Sequence, residues 1–426
     1  MTISVGLSVG SLGITMPFGA GGFNHLYGMQ QVGSAVYSPE RVRQKGESPM
    51  GRDPKRRGRW LPSADHPLYG CDALTLLTVL ARNGPVDARH APTLAAALAS
   101  ALLRAPFSLA EMAWVAWARR RRGPLPAPVF ILGHWRSGTT HLYNLLSRDP
   151  QFGFISPVAV GLPWDMLGLG AVLRPLLERA LPERRYIDNV AVRPDSPQED
   201  EIALANMSPL SFYHGLYFPR RFDENLNRGL YHEGCTPAET ERWRRRFVYF
   251  LEKVALSQGG RRLLIKNPVY SARVAMVREV WPDARFIHIH RDPRAVFVST
   301  VHFYRTLLDK LALQPYDHID VEQEVLDHYP RIMQALLDDT ASLPPNRLAD
   351  VAFETFECEP LAEAARVYRT LELPGYEAAE PRFKAYLAGV RDYAKNRHRL
   401  SAEGRERVER HWAPFVARWG QPAAAP

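Results

Sequence analysis

Residues 128–146, PVFILGHWRSGTTHLYNLL, constrain this chain more than any other stretch. Pro128 leads four apolar residues, 129–132, that read as a short buried strand. Residues 133–138 begin and end with glycine and read as a turn. Residues 139–146 read as the opening of a helix. A buried strand, a glycine-bounded loop and a helix N-terminus together bring backbone N–H groups to one point, where the helix dipole adds positive potential. A unit of this kind belongs in an α/β sheet, and its natural ligand is an anion.

The loop side chains narrow the choice of anion. Against the pattern G-x-x-x-x-G-K-[ST], Gly133, Gly138 and Thr140 match, but Thr139 stands where a nucleoside triphosphatase carries its lysine. That lysine and a magnesium ion are what such an enzyme applies to the β- and γ-phosphates. Here the fixed charge sits inside the loop, as Arg136, among the hydroxyls of Ser137, Thr139 and Thr140. The loop remains an oxyanion cradle but is poorly made for ATP. A plain strand-to-helix turn has no need of so many donors.

Two further segments repeat the theme. In FIHIHRDPRAVFVST, residues 286–300, a strand over 286–290 ends at Arg291, and Pro293 suits the first turn of the helix that follows. Ser299 lies eight residues beyond Arg291, about two helical turns on. An Arg291–Asp292 surface pair at a helix cap is the plainer reading of this motif taken alone. Residues 263–265 form a third apolar strand, followed by Lys266-Asn267-Pro268. Arg136, Lys266 and Arg291 thus stand at or just past the carboxyl ends of three strands, the edge where open α/β sheets bind ligands.

Taken together, these motifs resemble the sulfotransferases that use 3'-phosphoadenosine 5'-phosphosulfate (PAPS). The bacterial branch is the nearest in pattern, and it is related to the tyrosylprotein sulfotransferases, which share the Arg-Ser-Gly-Thr-Thr loop. The resemblance spans residues 128–420. It implies an α/β fold with a P-loop-like open, mostly parallel sheet flanked by helices. It further implies that Arg136, Ser137, Gly138, Thr139 and Thr140 hold the 5'-phosphosulfate and that Arg291 and Ser299 hold the 3'-phosphate. Arg136 and Lys266 are then the cations for the leaving bisphosphate, with no metal required. A polar, basic loop late in the chain, 391–400, offers Tyr393, Lys395, Asn396, Arg397 and His398 to the adenosine end, with Arg397 taken as a cofactor contact. The expected reaction is in-line sulfuryl transfer to a hydroxyl or amine. The alternatives are a kinase-like phosphotransferase, which would need a lysine at 139 and an acidic metal ligand, or a non-catalytic nucleotide-binding protein.

The general base is less legible. In tyrosylprotein sulfotransferases it is a glutamate about 20 residues past the loop arginine, where this chain has FISP at 154–157 and no carboxylate. Glu199 and Glu201, with Asp200 between them, are the best candidates, although a helix N-terminus is expected to lower their pKa values. His134 and His214 are rivals. The acceptor remains open among small molecules, lipids, carbohydrates and peptides. Trp164, Phe212, Tyr213, Tyr217 and Phe218 read either as an apolar pocket wall or as core.

Composition bounds the rest. The 426 residues are 46% hydrophobic and 23% charged, with a net charge of +9. That balance suits an anionic donor or a negative membrane surface. No nucleic-acid-binding motif is present. Three scattered cysteines, Cys71, Cys235 and Cys358, imply neither a disulfide framework nor a zinc site, and a reducing, cytoplasmic setting is expected. No run of 18 uncharged apolar residues occurs, so no conventional transmembrane helix is expected.

Three segments are expected. Residues 1–60 form a flexible extension: the first 39 lack Asp, Glu, Lys and Arg, and a charged linker follows around Lys55-Arg56-Arg57. Residues 61–127 form a helical prelude, with helices at 72–82 and 94–119. The second of these is broken at Arg104-Ala105-Pro106 and ends in four arginines. It reads as packed on the core, with a basic-edged membrane-surface hairpin as the alternative. Residues 128–420 form the catalytic domain. Within it, 153–180 is expected to be a substrate-facing stretch of short helices. Helices are read at 198–205, 239–258, 272–280, 294–308, 361–371 and 402–419, and a last strand at 351–354.

Overall fold

The protein is represented by a computed structural model that describes residues 66–179, 193–390 and 400–420. At its centre lies β1 (Val129–Leu132), flanked by β3 (Arg262–Lys266) and β4 (Arg285–His290). The two-residue β2 (Phe152–Gly153) pairs with β3, and β5 (Leu348–Ala352) pairs with β4. The order is β2-β3-β1-β4-β5, and all four pairings are parallel. This is the expected sheet, with β2 the strand that sequence reading missed, because two residues carry no period. The chain leaves β1 to one side for β2 and β3, then crosses to the other for β4 and β5. β1 therefore stands where the strand order reverses, the position at which such sheets bind ligands. Ile131 is level with Lys266 on one side and with Ile287 on the other.

All four residues of β1 are buried, as in a parallel sheet covered on both faces. Alternate residues serve two cores. Val129 and Ile131 join Leu264, Ile287 and Val351 beneath α3 (Thr139–Leu146), α14 (Pro360–Thr370) and α15 (Tyr376–Gly389). Phe130 and Leu132 join Ile265 and Phe286 on the opposite face, together with α9 (Pro237–Ser257), α11 (Pro293–Leu311) and α12 (Val321–Thr340). A capping box between Thr236 and Glu239 starts α9. Helix α10 (Val274–Val280) links β3 to β4.

The segment between β2 and α9 is built of short helices: α4 (Pro157–Gly161), α5 (Leu169–Arg179), α6 (Glu201–Ala205), α7 (Tyr213–Tyr217) and α8 (Phe222–Tyr231). Trp164, Phe212, Tyr217 and Phe218 are buried in the core, and Tyr213 nearly so. The helix expected from 198 begins later, leaving Glu199 outside α6 and Asp200 at its N-cap. The last strand ends sooner than expected: Phe353 and Glu354 open α13 (Phe353–Cys358). The single closing helix is two, α16 (Ala402–His411) and α17 (Ala413–Trp419), divided at Trp412. That indole is fully buried, donates to the Leu326 carbonyl at 2.9 Å and stacks on Tyr329 at 3.9 Å, which fixes the bend.

The prelude comprises α1 (Ala73–Asn83) and α2 (Ala91–Arg121). Helix α2 is not broken at 104–106. It runs for 31 residues through Pro106, which lies on its exposed side. Its inward face is narrow and carries charge. Arg104 donates to Asp165 at 2.8 Å and to the carbonyls of Tyr69 and Cys71, both at 2.7 Å. One helical stretch later, Glu111 pairs with Lys253 of α9 at 2.5 Å and accepts the N–H groups of Leu167 and Gly168. These anchors lie on either side of Pro106 and hold the helix to the body where the proline removes a bond. The described residues form one compact unit, the prelude included.

Candidate active site

The loop after β1 is built from unusual backbone. Gly133 (φ 138°) and Gly138 (φ 92°) lie in the left-handed region, and so does Arg136 (φ 71°). A side chain at Gly133 would sit 2.3 Å from the Ile289 carbonyl, and one at Gly138 would strike the Phe353 ring at 2.1 Å. Glycine is therefore required at both ends of the loop. For Arg136 the left-handed conformation costs on the order of 1–3 kcal/mol, a strain that collects where function demands it. Ser271, just past β3, ties the loop down: its hydroxyl accepts from Gly133 N–H at 2.8 Å and donates to the Gly133 carbonyl at 3.2 Å.

The strain aims the arginine. Its Nε donates to Ser299 Oγ at 2.8 Å, joining the loop to α11 across 163 residues of sequence. Arg291, past the end of β4, donates to the Arg136 carbonyl at 3.3 Å, and its guanidinium lies 4.6 Å from the centre of the Phe353 ring. Lys266, at the end of β3, donates to Thr140 Oγ1 at 3.2 Å in the first turn of α3. Ser137 and Thr139 are buried in the same loop. The carboxyl ends of β1, β3 and β4 thus converge their cations and hydroxyls at the switch point. Arg397 lies outside the described residues, as do Tyr393, Lys395, Asn396 and His398.

The three acids beside this cluster separate. Glu199 is half-buried and forms an ion pair with Lys266. Asp200 and Glu201 are fully buried. Asn267 donates to Asp200 at 2.9 Å and to Glu201 at 3.1 Å, Ser211 donates to Glu201 at 2.7 Å, and the Tyr270 hydroxyl donates to Asp200. Burial raises the Asp200 pKa to about 7, and it raises that of Glu201 as well. This reverses the expectation from the helix dipole, because the loss of water around a sealed carboxylate outweighs one short helix terminus. His134 and His214 are also sealed; His134 Nδ1 and both ring nitrogens of His214 face backbone carbonyls. Burial lowers their pKa values to about 3 and about 4. Among the described residues no cluster of three or more His, Cys, Asp or Glu side chains is arranged to hold a metal ion.

The profile of the sulfotransferase family matches residues 128–378, the span from β1 into α15. The chain belongs to the sulfotransferase family. It is similar to two mycobacterial proteins, from Mycobacterium bovis and Mycobacterium tuberculosis, each named omega-hydroxy-beta-dihydromenaquinone-9 sulfotransferase Stf3. Each is 30% identical over 374 residues, covering 87% of this chain and 95% of the relative. In fold it resembles the crystal structures of sulfotransferase STF1 of M. tuberculosis (TM-score 0.54, 17% identity, 80% of this chain and 91% of that one) and STF9 of Mycobacterium avium (TM-score 0.56, 17% identity, 83% and 97%).

For this sulfotransferase, several site residues escaped sequence reading. Ser271 and Phe353 both follow strand ends, the position that singled out Arg291, but neither carries charge. Tyr270, Asn267 and Ser211 hold the buried acids, and their pairing is visible only once α6 lies against the turn after β3. Glu354, which accepts the Asp292 N–H at 3.2 Å, was read as the last residue of a strand that in fact ends at Ala352.

Proposed function

We propose that this sulfotransferase moves a sulfuryl group from PAPS to a hydroxyl of a lipid-like acceptor. The observation that carries the donor half is the 2.8 Å contact between Arg136 Nε and Ser299 Oγ. It brings the two motifs the family assigns to the donor's 5'- and 3'-ends into one site, and Arg291 bonds to the same loop. Arginines, a lysine and hydroxyls gathered around a left-handed loop suit a ligand with anionic groups at both ends. The lipid half rests on the 30% identical relatives, whose name gives a hydroxylated dihydromenaquinone as the substrate.

In this reading Ser137, Gly138, Thr139 and Thr140 hold the 5'-phosphosulfate, and Arg291 and Ser299 hold the 3'-phosphate. Arg136 and Lys266 neutralise charge gathering on the leaving oxygen, which is the main demand of such a transfer. Glu199, the acid of the three that reaches solvent, accepts the proton of the attacking hydroxyl. The acceptor oxygen bonds to sulfur, the bond from sulfur to the 5'-phosphate oxygen breaks, and the products are a sulfate ester and adenosine 3',5'-bisphosphate. Glu201 acts from below by holding Asn267, and so the turn after Lys266, in place.

Two measurements test this. In the first, calorimetric titration should find adenosine 3',5'-bisphosphate binding in micromolar range or better and ATP with magnesium binding far more weakly; the reverse order refutes the donor. In the second, labelled PAPS incubated with native lipid extract should yield a labelled, organic-soluble product. Label that stays wholly in the aqueous phase, in soluble acceptors, refutes the lipid acceptor and leaves the donor assignment standing.

A further inference from the structure

Helix α2 carries apolar residues on both faces. Its inward face holds small residues such as Ala97 and Ala101 together with the ion-paired Arg104 and Glu111. Its outward face presents Leu102, Leu103, Phe107, Leu109, Trp114 and Trp117 to solvent, with Leu103 76% exposed. A surface helix of a globular protein buries its large apolar residues and exposes its charges. Here the helix is anchored to the body by two ion pairs as well as by Val115 and the alanines, and it turns most of its large apolar residues outward.

The pattern does not stop at one helix. Among the described residues, every exposed large hydrophobic side chain lies on α1, α2 or α5. Helix α1 contributes Leu74 (74% exposed) and Leu77, and α5 contributes Val172 (77%) and Leu176. The three helices adjoin: α1 packs on α2, and Glu111 of α2 bonds the two residues immediately before α5. Scattered exposed leucines are ordinary, but their confinement to one group of neighbouring helices marks an interaction surface.

Charge identifies the partner. Between Ala91 and Ala118 the helix has a single acid, Glu111, and it is buried. The outward face therefore carries no negative charge. At its C-terminal end come Arg119, Arg120, Arg121 and Arg122, with the Arg121 guanidinium 4.4 Å from the centre of the Trp117 ring. An apolar stripe with tryptophans near a cluster of arginines fits the boundary of an anionic bilayer, with rings among the acyl chains and guanidinium groups at the phosphates.

Helix α2 is also long and apolar enough to cross a membrane, which departs from the expectation of no such segment. Its buried ion pairs argue against crossing. Spanning would tear Arg104 from Asp165 and Glu111 from Lys253 and carry both charges into hydrocarbon. Lying in the interface keeps both pairs.

We propose that the outer face of α1, α2 and α5 docks this protein peripherally on an anionic lipid surface. The inference stands on these helices and needs no particular acceptor. Beneath the face, buried Trp164, in the turn before α5, donates to the carbonyl of Asn206 at the end of α6.

The test uses the full chain and vesicle flotation. The protein should float with phosphatidylcholine vesicles containing phosphatidylglycerol, float at least tenfold less with phosphatidylcholine alone, and be released by alkaline carbonate. Phe107→Ser with Trp114→Ser should lower flotation at least tenfold while thermal unfolding stays near that of the parent. Arg120→Glu with Arg121→Glu should lower it by a similar factor and leave less salt dependence. The proposal fails if the parent protein ignores anionic vesicles, or if both double variants float like it. It fails if carbonate does not release the protein, since α2 then inserts. It also fails if the face proves to join two copies, seen as a parent dimer that the Phe107/Trp114 variant converts to a monomer without any vesicle binding.

Discussion

Arg136 combines a left-handed backbone, a bond to Ser299 and a loop carbonyl held by Arg291. Removing its side chain breaks a charge-assisted contact, so Arg136→Ala should weaken adenosine 3',5'-bisphosphate binding by roughly tenfold to a hundredfold. Calorimetry checks this, and unchanged affinity would place the donor elsewhere. Glu199→Gln should lower kcat by about 10²–10⁴-fold, the usual worth of a general base, while bisphosphate affinity stays nearly constant. Unaltered turnover would remove Glu199 from the reaction. Asp200 makes a different prediction. Its pKa is raised from 3.8 to about 7 by burial, so the folded state holds a proton that the unfolded chain releases. The associated stability is present below about pH 4 and is lost as pH rises through about 7. Measured against Asp200→Asn, the parent protein should lose a few kcal/mol of relative stability across that interval. A difference that does not change with pH would show that Asp200 ionises normally.

At the scale of elements, α2 shows how buried ion pairs can help anchor a helix that turns most of its large apolar residues outward. The Arg104–Asp165 and Glu111–Lys253 pairs are nearly sealed from solvent, and each is completed by backbone groups. Breaking one strands an uncompensated charge, so Arg104→Ala or Glu111→Ala should cost about 3–5 kcal/mol. Chemical denaturation checks this, and a loss under about 1 kcal/mol would mean that water reaches the partner left behind. The same pairs explain why Pro106 neither breaks nor ends the helix, against its usual effect. At the sheet, Gly138 and Phe353 act in the same way on the loop, since a ring from after β5 fills the space a side chain at 138 would need.

At the scale of the whole molecule, the prelude and the catalytic region share one core: Leu68, Leu76, Val79 and Ala97 pack with residues of α9, α11 and α12. His66 reaches the Leu311 carbonyl at 3.2 Å, and Asp87 N–H reaches that of Leu313 at 3.0 Å. A chain lacking residues 66–121 would expose that core and leave Asp165 and Lys253 unpaired, so it should be insoluble or lack a cooperative unfolding transition. A soluble, cooperatively folded truncation would show that the prelude is an appendage.

Residues 128–146 alone determined the strand, the loop and the helix, because strand period, glycine placement and helix initiation are local properties. Arg136, Lys266 and Arg291 were legible for a related reason: each follows its own apolar strand, and parallel strands bring their carboxyl ends to one edge. The tertiary structure alone decided which acids are sealed and which face solvent. Glu199, Asp200 and Glu201 are consecutive and look alike in sequence, and only the packing of α6 against the turn after β3 buries two of them. It also decided that α2 turns most of its large apolar residues outward. Helical periodicity identifies two faces, but which one meets the body depends on Asp165 and Lys253, both distant in sequence. Local chemistry gathered the cations and hydroxyls at the switch point, whereas long-range packing decided which neighbouring acids are sealed and which face of α2 meets solvent.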